Sequence, residues 1–257
     1  MLLCFIHYHI IFYMQTTQSN ITPCCINGVN IFPFTNRNEL INTIEQKKGI
    51  LIAINAEKIL NATPETRSII NKNIGYADGI GAVLALHKKG FKSAIKIPGC
   101  ELWLDIINYF YKKNAFYFVG GKQNVIEKTI TKLNIQFPDI NILGYRNGYI
   151  NNEKEEELLI QNILEKKPDI IFIAMGSPKQ EFLMQKIQKK YPNAIFQGLG
   201  GSLDLYVGLV KPVPEWWKTY FKWEGLYRVF LDYRNIKRWK RQKILFQFMF
   251  ALIRNKL

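Results

Sequence analysis

Four short segments of the sequence have the composition of loops that bind phosphate. Residues 55–57, 120–122, 176–181 and 198–204 each follow an apolar run and are rich in glycine or polar side chains. Glycine lets backbone N–H groups approach a phosphate closely, and a helix that begins after the loop adds positive potential. The G-x-G-x-x-G fingerprint and the Walker A sequence are both missing, which argues against a routine NAD or ATP enzyme and leaves a nucleoside diphosphate open.

Asp78 is the carboxylate that could act as an acid or a base. It lies in the segment YADGIG, residues 76–81, between an apolar run and two glycines. Because aspartate is a preferred N-cap, spacing alone favours a helix cap over a catalytic carboxylate. The sequence contains no G-x-S-x-G, no D-x-D and no C-x-x-C motif, so it predicts neither an activated serine nor a metal site.

The elements that must position these loops alternate along the chain from residue 20. Short β-rich runs, most of them apolar, indicate strands at 26–32, 49–54, 115–119, 141–145, 169–174 and 194–196. Helices are predicted between them at 36–46, 65–71, 79–88, 101–112, 125–133, 153–165 and 181–190. This alternation predicts an α/β fold, a Rossmann-like parallel sheet with helices on both faces. Ligands bind beyond the carboxyl ends of such strands, so the four loops should gather at one edge.

The C-terminal segment differs from the rest in charge and composition. The chain of 257 residues carries a net charge of +15. Residues 211–257 hold twelve basic and three acidic residues and four of the five tryptophans. Such a segment suits an anionic membrane surface or a nucleic acid. We therefore divide the chain into an α/β core at 20–206 and a helical, basic, membrane-docking appendage at 207–257.

The first nineteen residues are given no role in the fold. Residues 1–14 are apolar but too short to span a bilayer, which takes about 20 residues, and they fit a signal peptide poorly. A mean hydropathy of −0.08 excludes a protein with many membrane spans.

Six strings occur in an order that is far more specific than any one of them. They are INAEKIL, YADGIG, FVGGK, AMGSPKQE, GLGGSLDLYVG and LYR. From about residue 20 to the C-terminus, the chain resembles the WecG/TagA/CpsF family of glycosyltransferases. The motifs NAEKIL, YADGI, AMGSPKQE and IKRWKRQ are most similar to the branch that synthesises enterobacterial common antigen. That branch transfers N-acetylmannosaminuronic acid from its UDP donor to undecaprenyl-diphosphate-linked N-acetylglucosamine. The alternative is the branch that transfers N-acetylmannosamine in the synthesis of teichoic acid or other surface polysaccharides.

The resemblance implies a metal-independent, inverting transfer without a cofactor. It assigns the role of base to Asp78, and Arg228 in the appendage is expected to stabilise the departing UDP. Relatives often have arginine where this chain has Lys96, which keeps the charge but loses the bidentate geometry. The residues that it implies for substrate binding are Asn55, Lys96, Gly120, Gly121, Gly176, Lys179, Gln180, Gly200, Gly201 and Asp204.

The resemblance also implies the partners and the location of the protein. We expect a peripheral protein on the cytoplasmic face of the inner membrane, bound to its anionic surface through the appendage. The clustered tryptophans and the six ordered motifs argue against the rival interpretation, a basic module that binds nucleic acid. Self-association into a homo-oligomer is a further implication of the resemblance.

Overall fold

The computed structural model describes residues 21–220, 224–231, 234 and 236–257, and the extension predicted at 1–19 lies outside them. A six-stranded parallel sheet forms the centre, in the order β4-β3-β8-β7-β5-β6. An antiparallel hairpin, β1–β2, precedes it. The strands are β1 (Cys24–Ile26), β2 (Val29–Ile31), β3 (Gly49–Ile54), β4 (Ile74–Ala77), β5 (Ala115–Gly120), β6 (Asn141–Arg146), β7 (Ile170–Ala174) and β8 (Ile195–Gly198).

Helices cover both faces of this sheet. Within the described residues they are α1 (Arg37–Lys47), α2 (Ala56–Asn61), α3 (Pro64–Asn71), α4 (Ile80–Lys88), α5 (Gly99–Phe110), α6 (Gln123–Gln136), α7 (Glu153–Lys166), α8 (Lys179–Lys190), α9 (Ser202–Tyr206), α10 (Glu215–Tyr220), α11 (Glu224–Leu231) and α12 (Ile236–Ile253).

Burial on both faces explains why the strands are continuously apolar. All five residues of β7 are buried, and its side chains alternate between two hydrophobic clusters. One cluster joins the sheet to α1, α5 and α6, and the other joins it to α2, α3, α4, α7, α8 and α12. The predicted α/β, Rossmann-like arrangement is therefore confirmed.

The strand predicted at 26–32 is wrong, because the chain reverses within it. Asn27 and Gly28 have φ angles of 49° and 76°, the left-handed conformation of a tight hairpin turn. The apolar residues on either side form β1 and β2 instead of one strand. The pair Asn27-Gly28 is itself a strong hairpin signal, which the prediction of a single strand overlooked.

Strand β4 is an element that the sequence analysis missed. Its four residues, IGYA, are all buried, but the strand is short and contains Gly75. A Cβ atom on Gly75 would lie 2.6 Å from the backbone oxygen of Asn30, so glycine is required where the hairpin passes β4. This close approach depends on tertiary packing and leaves no periodic pattern in the sequence.

The last helix, α12, packs against α2 and α4. Phe248 and Leu252 are buried in the same cluster as the strands. Lys88 of α4 donates hydrogen bonds to the backbone oxygens of Leu252 and Ile253. The division of the chain at residue 206 stays a prediction, and α12 contributes to the core of the unit before it. None of the described helices has both the length and the apolar composition needed to cross a membrane.

Candidate functional site

The loops that follow the parallel strands meet at the carboxyl edge of the sheet. The N–H of Asp78 donates to the backbone oxygen of Ile54 at 2.9 Å, which joins the ends of β4 and β3. The N–H of Leu199 donates to Ile173 at 2.8 Å, which joins the ends of β8 and β7. The N–H of Gly121 donates to Ala174 at 3.2 Å, which brings the end of β5 to the same place.

Asp78 binds the first turn of a helix that begins twenty-one residues later. Its Oδ1 accepts a hydrogen bond of 2.7 Å from the N–H of Gly99, the first residue of α5. It is not the N-cap of the helix that follows it, because Gly79 occupies that position without a side-chain hydrogen bond. The N-terminus of a helix stabilises negative charge, so α5 stabilises the ionised carboxylate. A half-buried carboxylate thus lies at the edge where ligands bind.

A buried polar network holds Gly99 in place from the other side. The side-chain nitrogen of Gln197, on β8, lies 3.4 Å from both the Tyr76 hydroxyl and the Gly99 backbone oxygen. Gln197 and Tyr76 are fully buried, and a Cβ atom on Gly99 would lie 2.7 Å from the Tyr76 hydroxyl. Burial, with the charge of Asp78 as a second cause, raises the pKa of Tyr76, so its hydroxyl stays protonated. Gln197 was not predicted from the sequence, where the only indication is that a polar residue follows an apolar run.

Asn55 and Lys96 lie near Asp78 at this edge. Asn55 is the N-cap of α2, and its Oδ1 accepts from the N–H of Lys58 at 3.0 Å. Its Cβ lies 3.4 Å from where a Cβ on Gly79 would be, so the ends of β3 and β4 are in contact. Lys96 is half-buried and precedes Ile97, whose N–H donates to the oxygen of Ala77 at 2.8 Å. The structure therefore brings three of the predicted site residues together.

The predicted glycines divide into two kinds. Gly120 is required for packing, because a Cβ there would lie 2.4 Å from the backbone oxygen of Ala174. Gly121 similarly faces the side chain of Val125. A Cβ on Gly176, Gly200 or Gly201 would meet no atom within 4 Å. These three glycines border open space next to the starts of α8 and α9, where a phosphate group could approach the backbone.

Gln180 fixes one of these loops to another. It is buried, and its Oε1 accepts a hydrogen bond of 2.9 Å from the N–H of Gly200. This N–H is therefore hydrogen-bonded within the protein and does not point to a ligand. Lys179, the first residue of α8, is exposed, and Asp204 on α9 is half-exposed. Gln180 thus shapes the loop after β8, while Lys179 presents its charge to solvent.

A buried ion pair connects the two sides of this edge. The Nζ atom of Lys58, on α2, lies 2.8 Å from Oε1 of Glu181 on α8 and donates to the oxygen of Ala53 at 2.9 Å. Glu181 is only 3% exposed, and the lysine offsets part of the cost of burying its carboxylate. Both residues belong to motifs that the sequence analysis quoted, but nothing in the sequence indicated that they pair.

Two further predictions concern the appendage and metals. Arg228 belongs to α11, and its side chain lies outside what the structure describes. In the part of the chain that the structure describes, no three His, Cys, Asp or Glu side chains are grouped to hold a metal ion.

We predict that Lys58→Met destabilises the protein much more than Lys190→Met. Removing Lys58 leaves the Glu181 carboxylate buried without its partner, a change that typically costs about 3–5 kcal/mol. Lys190 pairs with Glu157 at 2.9 Å on the surface, where such pairs contribute little. Chemical denaturation measures both variants, and equal midpoints would mean that the Lys58–Glu181 pair does not hold α2 and α8 together.

One comparison with known proteins bears on what this arrangement does. Residues 24–257 match the profile of the glycosyl transferase WecG/TagA/CpsF family. The match includes the whole sheet, every site residue discussed above and the C-terminal helices.

Proposed function

Because the chain belongs to the WecG/TagA/CpsF family of glycosyltransferases, we propose that it transfers N-acetylmannosaminuronic acid from UDP to undecaprenyl-diphosphate-linked N-acetylglucosamine. This step would build the second lipid intermediate of enterobacterial common antigen. Family membership itself makes the protein a glycosyltransferase of surface polysaccharide synthesis, with a sugar donor and an acceptor. The observation that supports the proposed chemistry best is the Asp78 carboxylate, which the start of α5 stabilises at the same edge of the sheet as the open glycine loops.

Asp78 is the proposed general base. The acceptor hydroxyl has a pKa far above neutral, so its proton must leave as its oxygen attacks the anomeric carbon. In the proposed step the carboxylate of Asp78 takes this proton while the new C–O bond forms. The bond from the anomeric carbon to the UDP oxygen breaks on the opposite face, and the configuration inverts.

The departing UDP gains negative charge, which the loops at the carboxyl edge can offset. Gly176 and Gly201 border open space, and Lys179 begins α8, whose N-terminus carries positive potential. We include Lys96 among the residues that contact the donor. We assign to Arg228, in the appendage, the role of a further cation that stabilises the departing UDP. Preorganised donors of this kind stabilise the transition state without any bound metal.

Binding to an anionic membrane surface is the second part of the proposal, and the outward face of α12 supports it. Trp239, Phe246 and Phe250 are 51%, 60% and 54% exposed, and their spacing puts them on one side of the helix. Lys240, Lys243 and Arg254 are exposed near them. Apolar rings among basic residues fit the interface of an anionic bilayer. We therefore propose a peripheral protein that reaches its lipid-linked acceptor at the cytoplasmic face of the inner membrane.

The first test of this function is a UDP-release assay with each donor. With a short-chain lipid-linked N-acetylglucosamine acceptor, we expect release from UDP-N-acetylmannosaminuronic acid and little from UDP-N-acetylmannosamine. Omission of the acceptor is the control for hydrolysis. Faster release from the neutral donor would reject the uronic acid assignment and favour the teichoic-acid type of transfer.

We predict that Asp78→Asn lowers turnover by about 10²–10⁴-fold, the usual contribution of a general base. The fold should survive, because the amide oxygen of asparagine can still accept the hydrogen bond from Gly99. Asp139→Asn, at an exposed carboxylate before β6, is the matched control and should keep wild-type turnover. Circular dichroism and kcat are measured for both, and an Asp78→Asn variant with wild-type turnover would remove Asp78 from the mechanism.

We predict that Phe246→Ser and Phe250→Ser each weaken binding to vesicles containing phosphatidylglycerol by about tenfold or more, because burying a phenylalanine contributes about 1.5–3 kcal/mol. Binding of the wild type should also weaken as salt is raised. Tyr149→Ser, at an exposed ring in the loop after β6, is the control. Sedimentation with vesicles measures the affinities, and unchanged binding of both phenylalanine variants would exclude this face of α12 as the docking surface.

A further inference from the structure

Phe248 differs from the other aromatic residues near it on α12. Phe246 and Phe250 are more than half exposed, whereas Phe248, between them in sequence, is fully buried. Two residues along a helix correspond to more than half a turn, so Phe248 points away from the proposed membrane-facing side. It belongs to the hydrophobic cluster on one face of the sheet.

The ring of Phe248 packs against the first turn of α4, next to the place where that turn approaches the first turn of α2. A Cβ atom on Gly81, the second residue of α4, would lie 3.2 Å from Cε1 of Phe248 and 3.2 Å from the Cβ of Ala56. Ala56 is the first residue of α2. Gly81 is the last residue of the YADGIG motif. Because glycine has no side chain, the ring of Phe248 can pack closely against the backbone of α4 at this position.

The loops that carry the proposed site residues begin at this junction. Asn55 directly precedes Ala56, and Asp78 comes three residues before Gly81. Gly79 lies against Asn55, as described above, so the two loops contact each other close to the turn of α4 on which Phe248 packs. Lys58, the third residue of α2, links the same helix to Glu181 on α8. A shift of this ring would therefore move Asn55 and Asp78 together.

We propose that Phe248 is a positioning residue, which sets the spacing between the starts of α2 and α4 and so the geometry of Asn55 and Asp78. It acts through Ala56 and Gly81 and contacts no substrate itself. The inference rests on the proposed function of these two loops. It also assigns the two faces of α12 to different tasks, since the outward face meets lipid and the inward face shapes the site.

The kinetic test uses a soluble acceptor analogue without membranes. Phe248→Leu and Gly81→Ala should each lower kcat by about tenfold to a hundredfold, the loss that a small misplacement of reacting groups can cause. Donor KM should change less than kcat, because the open glycine loops at Gly176, Gly200 and Gly201 lie on other elements. Phe248→Met should keep a higher kcat than Phe248→Leu. Vesicle binding should stay at the wild-type level in every variant.

Ile163→Val is the control for a general loss of packing. Ile163 is fully buried in α7 within the same cluster, but α7 carries none of the site residues. Its melting temperature should fall while its kcat stays at the wild-type value. If Phe248→Leu and Gly81→Ala kept wild-type kcat, or if Ile163→Val lost as much kcat as they do, the positioning role would be wrong.

Amide hydrogen exchange tests the inference separately from the proposed function. In Phe248→Leu without any substrate, exchange should become faster at residues 55–60 and 78–83 and stay unchanged in β7. Ile163→Val should leave both segments at the wild-type rate. Unchanged exchange at both segments in Phe248→Leu would overturn the inference even if the enzyme uses the expected donor. If neither donor supports transfer, the proposed function is wrong. Amide hydrogen exchange then decides the role of Phe248 alone.

Discussion

The central sheet has to be covered by apolar side chains on both faces, and the positions of the other elements follow from that requirement. Parallel strands need long connections, and here helices make them while burying the two faces. All six strands consequently end at the same edge, where the chain leaves the sheet in loops that carry polar residues. On one of the two faces, α12 completes the cover, so the C-terminal segment takes part in the same hydrophobic cluster as β3 and β7.

At the carboxyl edge, polar side chains fix each loop to a different element. Asp78 binds the start of α5, Gln180 binds Gly200, and Lys58 reaches Glu181. Each of these contacts joins segments that are distant in sequence, and two of the three involve a side chain that is almost completely buried. Loops fixed in this way have little conformational freedom, which is the condition that the proposed catalysis by positioning and electrostatics requires.

The fold class could be predicted from the sequence because strands buried on both faces form long apolar runs, as in β3 and β7. The Asn27-Gly28 pair is a hairpin signal that the strand prediction at 26–32 overlooked, whereas β4 could not be located because it is short and contains a glycine. Motif resemblance identified the loops at Asn55, Asp78 and Gln180, but their partners depend on tertiary contacts. Gln197 and the Lys58–Glu181 pair are examples, because nothing near them in sequence indicates which residue each will meet.

The packing of α12 against α4 has a consequence for the order in which the protein folds. Lys88 and Leu252, which hydrogen-bond across this interface, are separated by 164 residues in sequence. Contacts between residues so far apart in sequence slow folding, because the entropy of closing the loop is lost before the contacts stabilise the chain. Until they form, the apolar ends of α2 and α4 remain uncovered. In a chain under synthesis, the apolar surfaces of α2 and α4 that α12 covers therefore stay exposed until residues 236–257 have emerged.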